Sequence, residues 1–483
     1  MGKLAGVFRK FPQTFWVANT MELFERWAWY GMYMVFAIYL TGSKDTGALG
    51  FSQDQKALLI SAGTSLLYFL PLLTGAIADK LGYKKVLLIS YGIYATGFLM
   101  IGYMSSYFSV FIVFLYLAIG GSLFKPVISA TIARTTDEET SSIGFGIFYM
   151  MVNVGSFIAP FFSSYLRELD WVYVFWLSAG IIAINVVLVL TLYKEPIVET
   201  EKQSLGKSFK QAFRNIATTM SDIRLVLFLI IIAAFWGMYY QLFYTLPVFI
   251  EQWVDTTVLY DAIANNSVWL AEKIGTTDKT INPELIVNID SLYIIIFQVL
   301  ISTLVMKFKP LNAMISGVFV AGIGMGLMFM TNNPFFLIPS ILVFAVGEMS
   351  SSPKITEYLG RIAPKDKVAL YIGASYMPVF LGSLIAGVLS GPVYTQMTDK
   401  VTMTRRLVME KGLSIPEISE QFSFNQYFGR TAELMGMNTS ELTTYLWNAN
   451  HPQNIWMVYM AVGVGAAFLL LIYDRYILNS VNK

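Results

Sequence analysis

The sequence has no cysteine and a single histidine, His451, and these absences exclude two kinds of chemistry. Without cysteine the chain forms neither disulfides nor thiolate metal sites, and the other common zinc ligand is nearly missing. Charged residues are also scarce, at 13% of 483, whereas soluble proteins carry about 25%. The 33 Lys and Arg nearly balance the 31 Asp and Glu, unlike the concentrated positive charge that nucleic-acid binding requires. We expect no metal, no cofactor and no nucleic-acid partner.

Apolar residues dominate instead, at 56% of the chain with a mean hydropathy of +0.59. A helix needs about 20 mostly apolar residues to cross a bilayer, and twelve stretches meet that need. The sequence therefore predicts an all-α membrane protein in contact with lipid. The predicted spans are 15–41, 56–80, 84–104, 107–133, 141–166, 171–193, 224–251, 290–308, 310–331, 335–362, 368–392 and 453–476.

One long polar stretch near the middle of the chain divides the spans six and six. We predict an amino-terminal half at 1–193, a cytoplasmic linker at 194–223 and a carboxyl-terminal half at 224–483. Lys and Arg resist translocation, and 20 of them fall in the predicted inner segments against five in the shorter outer loops. Both termini are therefore expected in the cytoplasm, with the protein in the cell (inner) membrane.

Two outer segments of the second half, 252–289 and 393–451, are too polar to span the bilayer. In the longer one, Ser414 precedes Glu417 and Asn438 precedes Glu441 at capping-box spacing. This spacing predicts short helices that form a stable surface cap or dock a partner.

The first span carries charges that lipid should exclude, because an ionised side chain near mid-span costs about 2.5 to 3.5 kcal/mol. Glu22 and Arg26 lie one helical turn apart, Glu25 lies between them, and Tyr30 continues that face. Two carboxylates that share one guanidinium repel each other, so one of them can accept a proton reversibly. This arrangement predicts a proton-coupling site.

Lys125 is the charged residue of the fourth span, and the neighbouring Pro126 allows a bend toward the first span. With Lys125 close, both glutamates can stay ionised. If a substrate carboxylate draws Lys125 away, one glutamate loses its counter-ion and gains a proton. The alternative is a purely structural charge network.

Four motifs resemble known sequences. Residues 22–32 resemble the ExxERFxYYGM signature of the proton-coupled oligopeptide transporters of the major facilitator superfamily. Residues 148–156 resemble their FYxxINxGS motif, and residues 347–353 their GELxxSP motif. Residues 75–85, which include Asp79, resemble the superfamily's loop between spans 2 and 3. The alternative for this loop is a basic segment that only sets topology.

The resemblance implies two six-helix bundles, the major facilitator fold, that rock around a central cavity and import di- and tripeptides with protons. Glu22, Glu25 and Arg26 would couple protons. The resemblance gives the remaining site residues by position. Arg26 and Lys125 would bind the peptide carboxylate, Glu348 its ammonium, and Tyr30 and Asn153 its backbone, with Ser352 of the GELxxSP motif beside them.

The sequence departs from the family pattern at both ends of a familiar ion pair. Tyr33 replaces an arginine of the first span, and Tyr240 replaces an acid of span 7. Because both ion-pair residues are absent, no buried charge is left without a counter-ion. We therefore expect a remodelled outer gate in which Tyr33 and Tyr240 meet. Ser375 stands where the family has a tryptophan, which alters the side-chain pocket.

One further residue and one group of residues have open alternatives. Asp290 at the start of span 8, where the family has Asn-Pro, would bind the substrate ammonium or handle protons, or would be an ordinary helix N-cap. Lys354 and Glu357 lie one turn apart on span 10 and would form an inner gate, together with Asp79, or a solvated helix end.

We therefore expect a secondary active transporter whose partners are a small peptide and protons. One alternative is a different zwitterionic cargo, such as a modified amino acid or a peptidoglycan fragment. A second is a membrane receptor that transports nothing. An enzyme is not expected, because the sequence shows no Ser/His/Asp set, metal cluster or phosphate-binding glycine loop.

Overall fold

The structure, a computed structural model, describes residues 10–137, 140–196, 205–328, 332–364 and 368–478. These residues are mostly helical, and their extended pairing is limited to one bridge between Gly275 and Ile281. The predicted all-α class is confirmed.

Helices of the amino-terminal half begin and end close to the predicted spans. They are α1 (Gln13–Thr41), α2 (Gln53–Phe69), α3 (Pro71–Leu81), α4 (Tyr83–Ile101), α5 (Tyr107–Arg134), α6 (Ser141–Leu169) and α7 (Trp171–Thr191). A capping box between Ser52 and Gln55 starts α2. Pro71 has no backbone N–H and separates α2 from α3, but Leu70 keeps helical angles, so the two helices form one interrupted rod.

The helices of the second half are shorter and more often interrupted than those of the first half. Its helices to the end of span 9 are α8 (Leu205–Met220), α9 (Ile223–Tyr239), α10 (Gln241–Tyr244), α11 (Leu246–Trp253), α12 (Thr257–Asn266), α13 (Val268–Ile274), α14 (Pro283–Val287), α15 (Ile289–Val305) and α16 (Pro310–Leu327). The predicted linker thus contains a helix, α8. The predicted span 224–251 is divided into three helices, and the last break precedes Pro247.

The remaining helices complete the chain. They are α17 (Pro334–Ile362), α18 (Val368–Gly373), α19 (Tyr376–Val388), α20 (Tyr394–Met397), α21 (Lys400–Glu410), α22 (Phe424–Leu434), α23 (Thr439–Asn450) and α24 (Ile455–Ile472). The short helices predicted in 393–451 are therefore present.

Eleven helical segments of the described residues are long and apolar enough to cross a membrane. Helix α1 is not one of them, although its 29 residues are long enough, and it carries Glu22, Glu25 and Arg26. The count of twelve spans and the cytoplasmic termini remain predictions.

One of the two predicted capping boxes in the outer segment is wrong. Asn438 and Glu441 form the expected box at the start of α23. Ser414 and Glu417 start no helix, because Pro416 disfavours helical angles at the residue before it. A box that the sequence analysis did not select, between Ser423 and Gln426, starts α22 instead.

The two halves touch along several helix pairs of the described residues. Helix α2 packs against α19, α1 contacts α11, and α6 packs against α14 and α15. These contacts bring the charged residues of α1 and α5 into the same region of the molecule as those of α15 and α17.

Candidate functional site

The three charged residues of α1 form one buried cluster. Glu22, Glu25 and Arg26 are 5%, 0% and 7% exposed. Arg26 Nε lies 3.3 Å from Glu22 Oε1, and the same guanidinium forms an ion pair with Glu25. Glu25 also accepts a hydrogen bond of 2.8 Å from the Tyr94 hydroxyl of α4. One cation therefore serves two carboxylates, as the helical spacing predicts.

Lys125 reaches the same region from α5, which continues without a break through Pro126. Its Nζ lies 4.1 Å from the ring centroid of Tyr68, and it interacts electrostatically with Glu22. No carboxylate of the described residues lies within ion-pair distance of Lys125. The ammonium is thus near the cluster without being paired to it.

Tyrosine side chains line the space between the halves, and two of them, Tyr68 and Tyr376, lie outside the motifs of the sequence. Tyr68 of α2 interacts electrostatically with Lys125 and Arg26, and its ring lies 6.3 Å from that of Tyr376 in α19. Tyr30 interacts electrostatically with Glu25 on its own helix and with Glu348 on α17. Tyr30 therefore lies between the charged groups of the two halves.

The second half contributes two buried acids. Glu348 and Asp290 are 8% and 4% exposed, and each has a carboxylate oxygen without a hydrogen-bond partner. The N-cap interpretation of Asp290 is wrong, because the N-cap position of α15 is Asn288 and Asp290 follows inside the first turn. Ser352 also lacks a partner for its hydroxyl.

Asn153 of α6 lies on the opposite wall and is 9% exposed. Its side-chain amide donates a hydrogen bond of 2.8 Å to the carbonyl oxygen of Tyr149, one turn earlier on the same helix. Tyr149 belongs to the same motif, and it interacts electrostatically with Glu348 and Asp290.

The tyrosines that replace the familiar ion pair meet through a third tyrosine. Tyr33 donates to or accepts from Thr64 at 3.1 Å and interacts with Tyr244. Tyr240 lies 5.4 Å from the same Tyr244 ring, measured between centroids. Tyr33 and Tyr240 therefore belong to one aromatic cluster at the junction of α1, α2 and α10.

A buried ion pair joins the halves farther out. Arg167 of α6 lies 2.9 Å from Glu284 of α14 and donates a hydrogen bond to Asn282 at 2.5 Å. Arg167 and Asn282 border a cavity of about 550 Å³ at the predicted outer face, to which Glu251 and Lys400 also contribute. Neither residue lies in a motif, so the sequence gives no sign of this pair.

The outer segment 393–451 also reaches across to the first half. Lys44 forms an ion pair with Glu420, and the Asn425 amide donates to both Asp45 carboxylate oxygens at 3.1 and 3.2 Å. The Asn425 backbone N–H donates to Ser43 at 3.1 Å. A segment carried by the second half therefore docks on the loop after α1.

Lys354 and Glu357 form an ion pair of 2.7 Å, and Arg361 binds the same glutamate at 2.5 Å. All three residues lie on α17, so the network does not itself join the halves. Asp79 lies in α3, and its side chain lies outside the described part of the structure.

Comparisons with known proteins agree with this architecture. Residues 21–264 match the family model described as the Major Facilitator Superfamily. The dipeptide and tripeptide permease A of Serratia proteamaculans is 28% identical over 190 residues, which are 38% of this chain and 37% of the permease. The chain thus matches little more than a third of that relative's length.

Two solved structures share the fold over nearly the whole chain. A peptide transporter POT in complex with sulfate has a TM-score of 0.72 at 15% identity, covering 97% of this chain and 95% of its own. A POT family transporter in complex with 5-aminolevulinic acid has a TM-score of 0.70 at 17% identity, covering 96% and 98%. The matched family and these neighbours are transporters rather than enzymes.

The motifs predict a resemblance to the proton-coupled oligopeptide transporters, and these comparisons confirm it. The several membrane-crossing helices fit the expected location in the cell (inner) membrane. Because the family match covers half of the chain and the fold agrees along its length, the chain belongs to the Major Facilitator Superfamily.

Proposed function

We propose that the chain is a proton-coupled secondary active transporter that imports di- and tripeptides by alternating access. The observation that carries the proposal is a buried guanidinium shared by Glu22 and Glu25, with Glu348 on the facing wall and Lys125 nearby. The Lys125 ammonium contacts Tyr68 but forms no ion pair with a described residue. A zwitterionic peptide needs a cation at one end and an anion at the other, and the two halves supply them separately.

Lys125 is the group best suited to the peptide carboxylate. Arg26 is already paired with two carboxylates, whereas Lys125 contacts Tyr68 and forms no ion pair with a described residue. A carboxylate from the cargo would form a charge-assisted hydrogen bond with this ammonium in a region shielded from bulk water. Binding would then draw Lys125 away from Glu22.

This withdrawal supports coupling to protons. Lys125 stabilises the ionised form of Glu22 through electrostatic attraction, and Glu25 opposes it by repulsion. When the cargo carboxylate compensates Lys125, Glu22 loses a favourable partner and accepts a proton more readily. Proton uptake and cargo binding thereby favour each other, which is what symport requires.

The contacts between the halves support a state closed at the predicted outer side. Three ion pairs between described residues cross from one half to the other: Lys44 with Glu420, Arg167 with Glu251 and Arg167 with Glu284. All three involve loops or helix ends on that side. Rocking of the half at 1–193 against the half at 224–483 would break them in each cycle.

Reconstituted liposomes provide the test. We expect labelled Ala-Ala to accumulate inside when the outside is made acidic, and a protonophore to abolish the accumulation. Absence of accumulation for all di- and tripeptides would overturn the proposal and leave two alternatives, a transporter of another zwitterion and a receptor that transports nothing. Competition by unlabelled compounds then tests a different zwitterionic cargo, which the serine at position 375 and a neighbour bound to 5-aminolevulinic acid support.

A further inference from the structure

Asp290 is a buried acid without a counter-ion. It is 4% exposed, it lies in the first turn of α15, and its Oδ1 has no hydrogen-bond partner. The partial positive charge at a helix N-terminus stabilises a carboxylate only by about 0.3 to 1 kcal/mol in exposed sites and about 2 kcal/mol in partly buried ones. Removing a carboxylate from water costs several kcal/mol, so Asp290 needs a further partner whenever it is ionised.

Glu348 does not provide that partner. It is also buried, its Oε2 has no hydrogen-bond partner, and it interacts electrostatically with Asp290 as a charge of the same sign. Neither acid forms an ion pair with a described residue, whereas Lys354 on the same helix as Glu348 is paired with Glu357. The facing wall of the second half therefore holds two carboxyl groups without an ion-pair partner among the described residues, although Tyr239 donates a hydrogen bond to Glu348.

The whole site has an excess of negative charge. Its carboxylates outnumber its cations by four to two when every group is ionised. The carboxylates are Glu22, Glu25, Asp290 and Glu348, and the cations are Arg26 and Lys125. A dipeptide with a neutral side chain has no net charge and leaves this excess in place. A dipeptide with a lysine or arginine side chain reduces it.

Aromatic rings beside the two acids favour the same kind of group. Tyr149 and Tyr239 each interact electrostatically with both Asp290 and Glu348. Tyr149 is 42% exposed in the structure, so part of its side chain faces open space. An alkylammonium or guanidinium group is attracted to the face of a tyrosine ring as well as to a carboxylate.

We propose that Asp290 is a specificity-determining residue that binds a second positive charge on the cargo, so that the transporter prefers peptides with a lysine or arginine side chain. This inference rests on the proposed peptide transport. Glu348 then binds the peptide's α-ammonium group, and Asp290 binds the side-chain cation between the two tyrosines. The positively charged side chain of the peptide thereby compensates part of the excess negative charge of the site.

The test compares three dipeptides in the same liposomes: Ala-Lys, Ala-Gln and Ala-Ala. For the unmodified chain we expect kcat/KM for Ala-Lys to exceed that for Ala-Gln by at least about tenfold, the effect of one hydrogen bond to a charged group. Asp290→Asn should lower the Ala-Lys to Ala-Gln ratio by about tenfold or more. Asp290→Glu, which keeps the charge, should preserve most of the ratio. Glu272→Gln, an exposed acid of the outer segment 252–289, is the matched control and should leave the ratio unchanged.

The outcomes separate the two proposals. Equal transport of Ala-Lys and Ala-Gln by the unmodified chain overturns the inference while peptide transport stands. An Asp290→Asn variant that slows both peptides by the same factor also overturns it and assigns Asp290 to proton handling. Failure of the unmodified chain to transport any of the three dipeptides overturns the proposed function together with the inference.

Discussion

The buried ammonium group of Lys56 donates a hydrogen bond to the backbone carbonyl oxygen of Tyr244, with 2.9 Å between Nζ and O. Lys56 lies on α2 of the first half, and Tyr244 ends α10 of the second half. The same ammonium lies 5.3 Å from the Tyr394 ring centroid, and its residue is fully buried. The carbonyl is available because α10 ends at the break before Pro247, so a broken helix and a buried lysine together join the halves.

Replacing Lys56 by Met should weaken closure at this side. Methionine keeps the length of the side chain but cannot donate a hydrogen bond, and relief of the buried charge offsets part of the loss. A net effect of about 1 kcal/mol shifts the balance toward the outward-open state by about fivefold.

The chain has no cysteine, so a single introduced cysteine can report on this shift. Ser65→Cys is suitable, because Ser65 is buried against Ser383 of the other half. We expect Lys56→Met to increase the rate at which an impermeant maleimide, added from outside, labels this cysteine by about fivefold. Lys273→Met, at an exposed position, is the control. An unchanged labelling rate would show that Lys56 does not stabilise the state closed at the outer side.

Replacing Glu25 or Glu22 by Gln should uncouple transport from protons. Glutamine cannot ionise, and in either variant Arg26 keeps one of its two carboxylate partners. With the outside about one pH unit more acidic, one coupled proton supports about tenfold accumulation, which the variants should lose. Counterflow, in which unlabelled peptide inside exchanges for labelled peptide outside, should persist. A variant that still concentrates peptide under the gradient would contradict the assignment of that glutamate.

The first helix shows how far the sequence predicts the site. Glu22 and Arg26 meet because a regular helix places residues four apart on one face. Local spacing does not reveal the Tyr94 hydroxyl that binds Glu25, because Tyr94 comes from another helix 69 residues away. The sequence could thus predict the cluster of Glu22, Glu25 and Arg26, but not the hydrogen bond from Tyr94 to Glu25.

The cross-half contacts were the least predictable part of the structure. Lys56 and Arg167 belong to no motif, and each finds its partner in the other half of the chain. Their positions depend on which helix ends meet after packing, and a single sequence does not encode that pairing in any local pattern. Asp290 is an intermediate case. The sequence identifies it as unusual because it stands where the family has Asn-Pro, but only the structure shows that it is buried beside Glu348.

Lys125→Ala should weaken binding of peptides that have a free carboxylate. The loss of a hydrogen bond between charged groups should raise KM for Ala-Ala by about ten- to a hundredfold. The amide of the same dipeptide, Ala-Ala-NH2, lacks the carboxylate and provides the matched comparison. Its transport should change little when Lys125 is replaced by Ala. Lys125→Arg keeps a cation and should recover part of the affinity. If Lys125→Ala affects the free acid and the amide equally, the lysine is not the carboxylate partner.

Docking of the outer segment on the loop after α1 should depend on pH through Asp45. Partial burial raises the pKa of Asp45, but hydrogen bonds from Ser43 and Asn425 outweigh burial, so the pKa is lowered from its ordinary value of 3.8. A lowered pKa means that the ionised carboxylate stabilises the docked state. This contribution is complete above the ordinary pKa and is lost as the pH falls through the lowered value. The contact should therefore persist at the mildly acidic pH that drives proton uptake.

Hydrogen exchange of residues 393–451 measures this docking. Protection of α22 should stay constant from about pH 7 to pH 5, once corrected for the intrinsic exchange rate, and should fall below about pH 4 as Asp45 takes up a proton. Asn425→Ala should lower the protection at every pH above that range, because it removes both side-chain hydrogen bonds to Asp45. Glu433→Gln, on the same helix but paired only with Arg430 among the described residues, is the control. If protection falls between pH 7 and pH 5, a group with a higher pKa governs docking. The ion pair of the half-buried Lys44 with the exposed Glu420 does not explain such a fall, since ion pairs at the surface contribute about 0 to 1 kcal/mol.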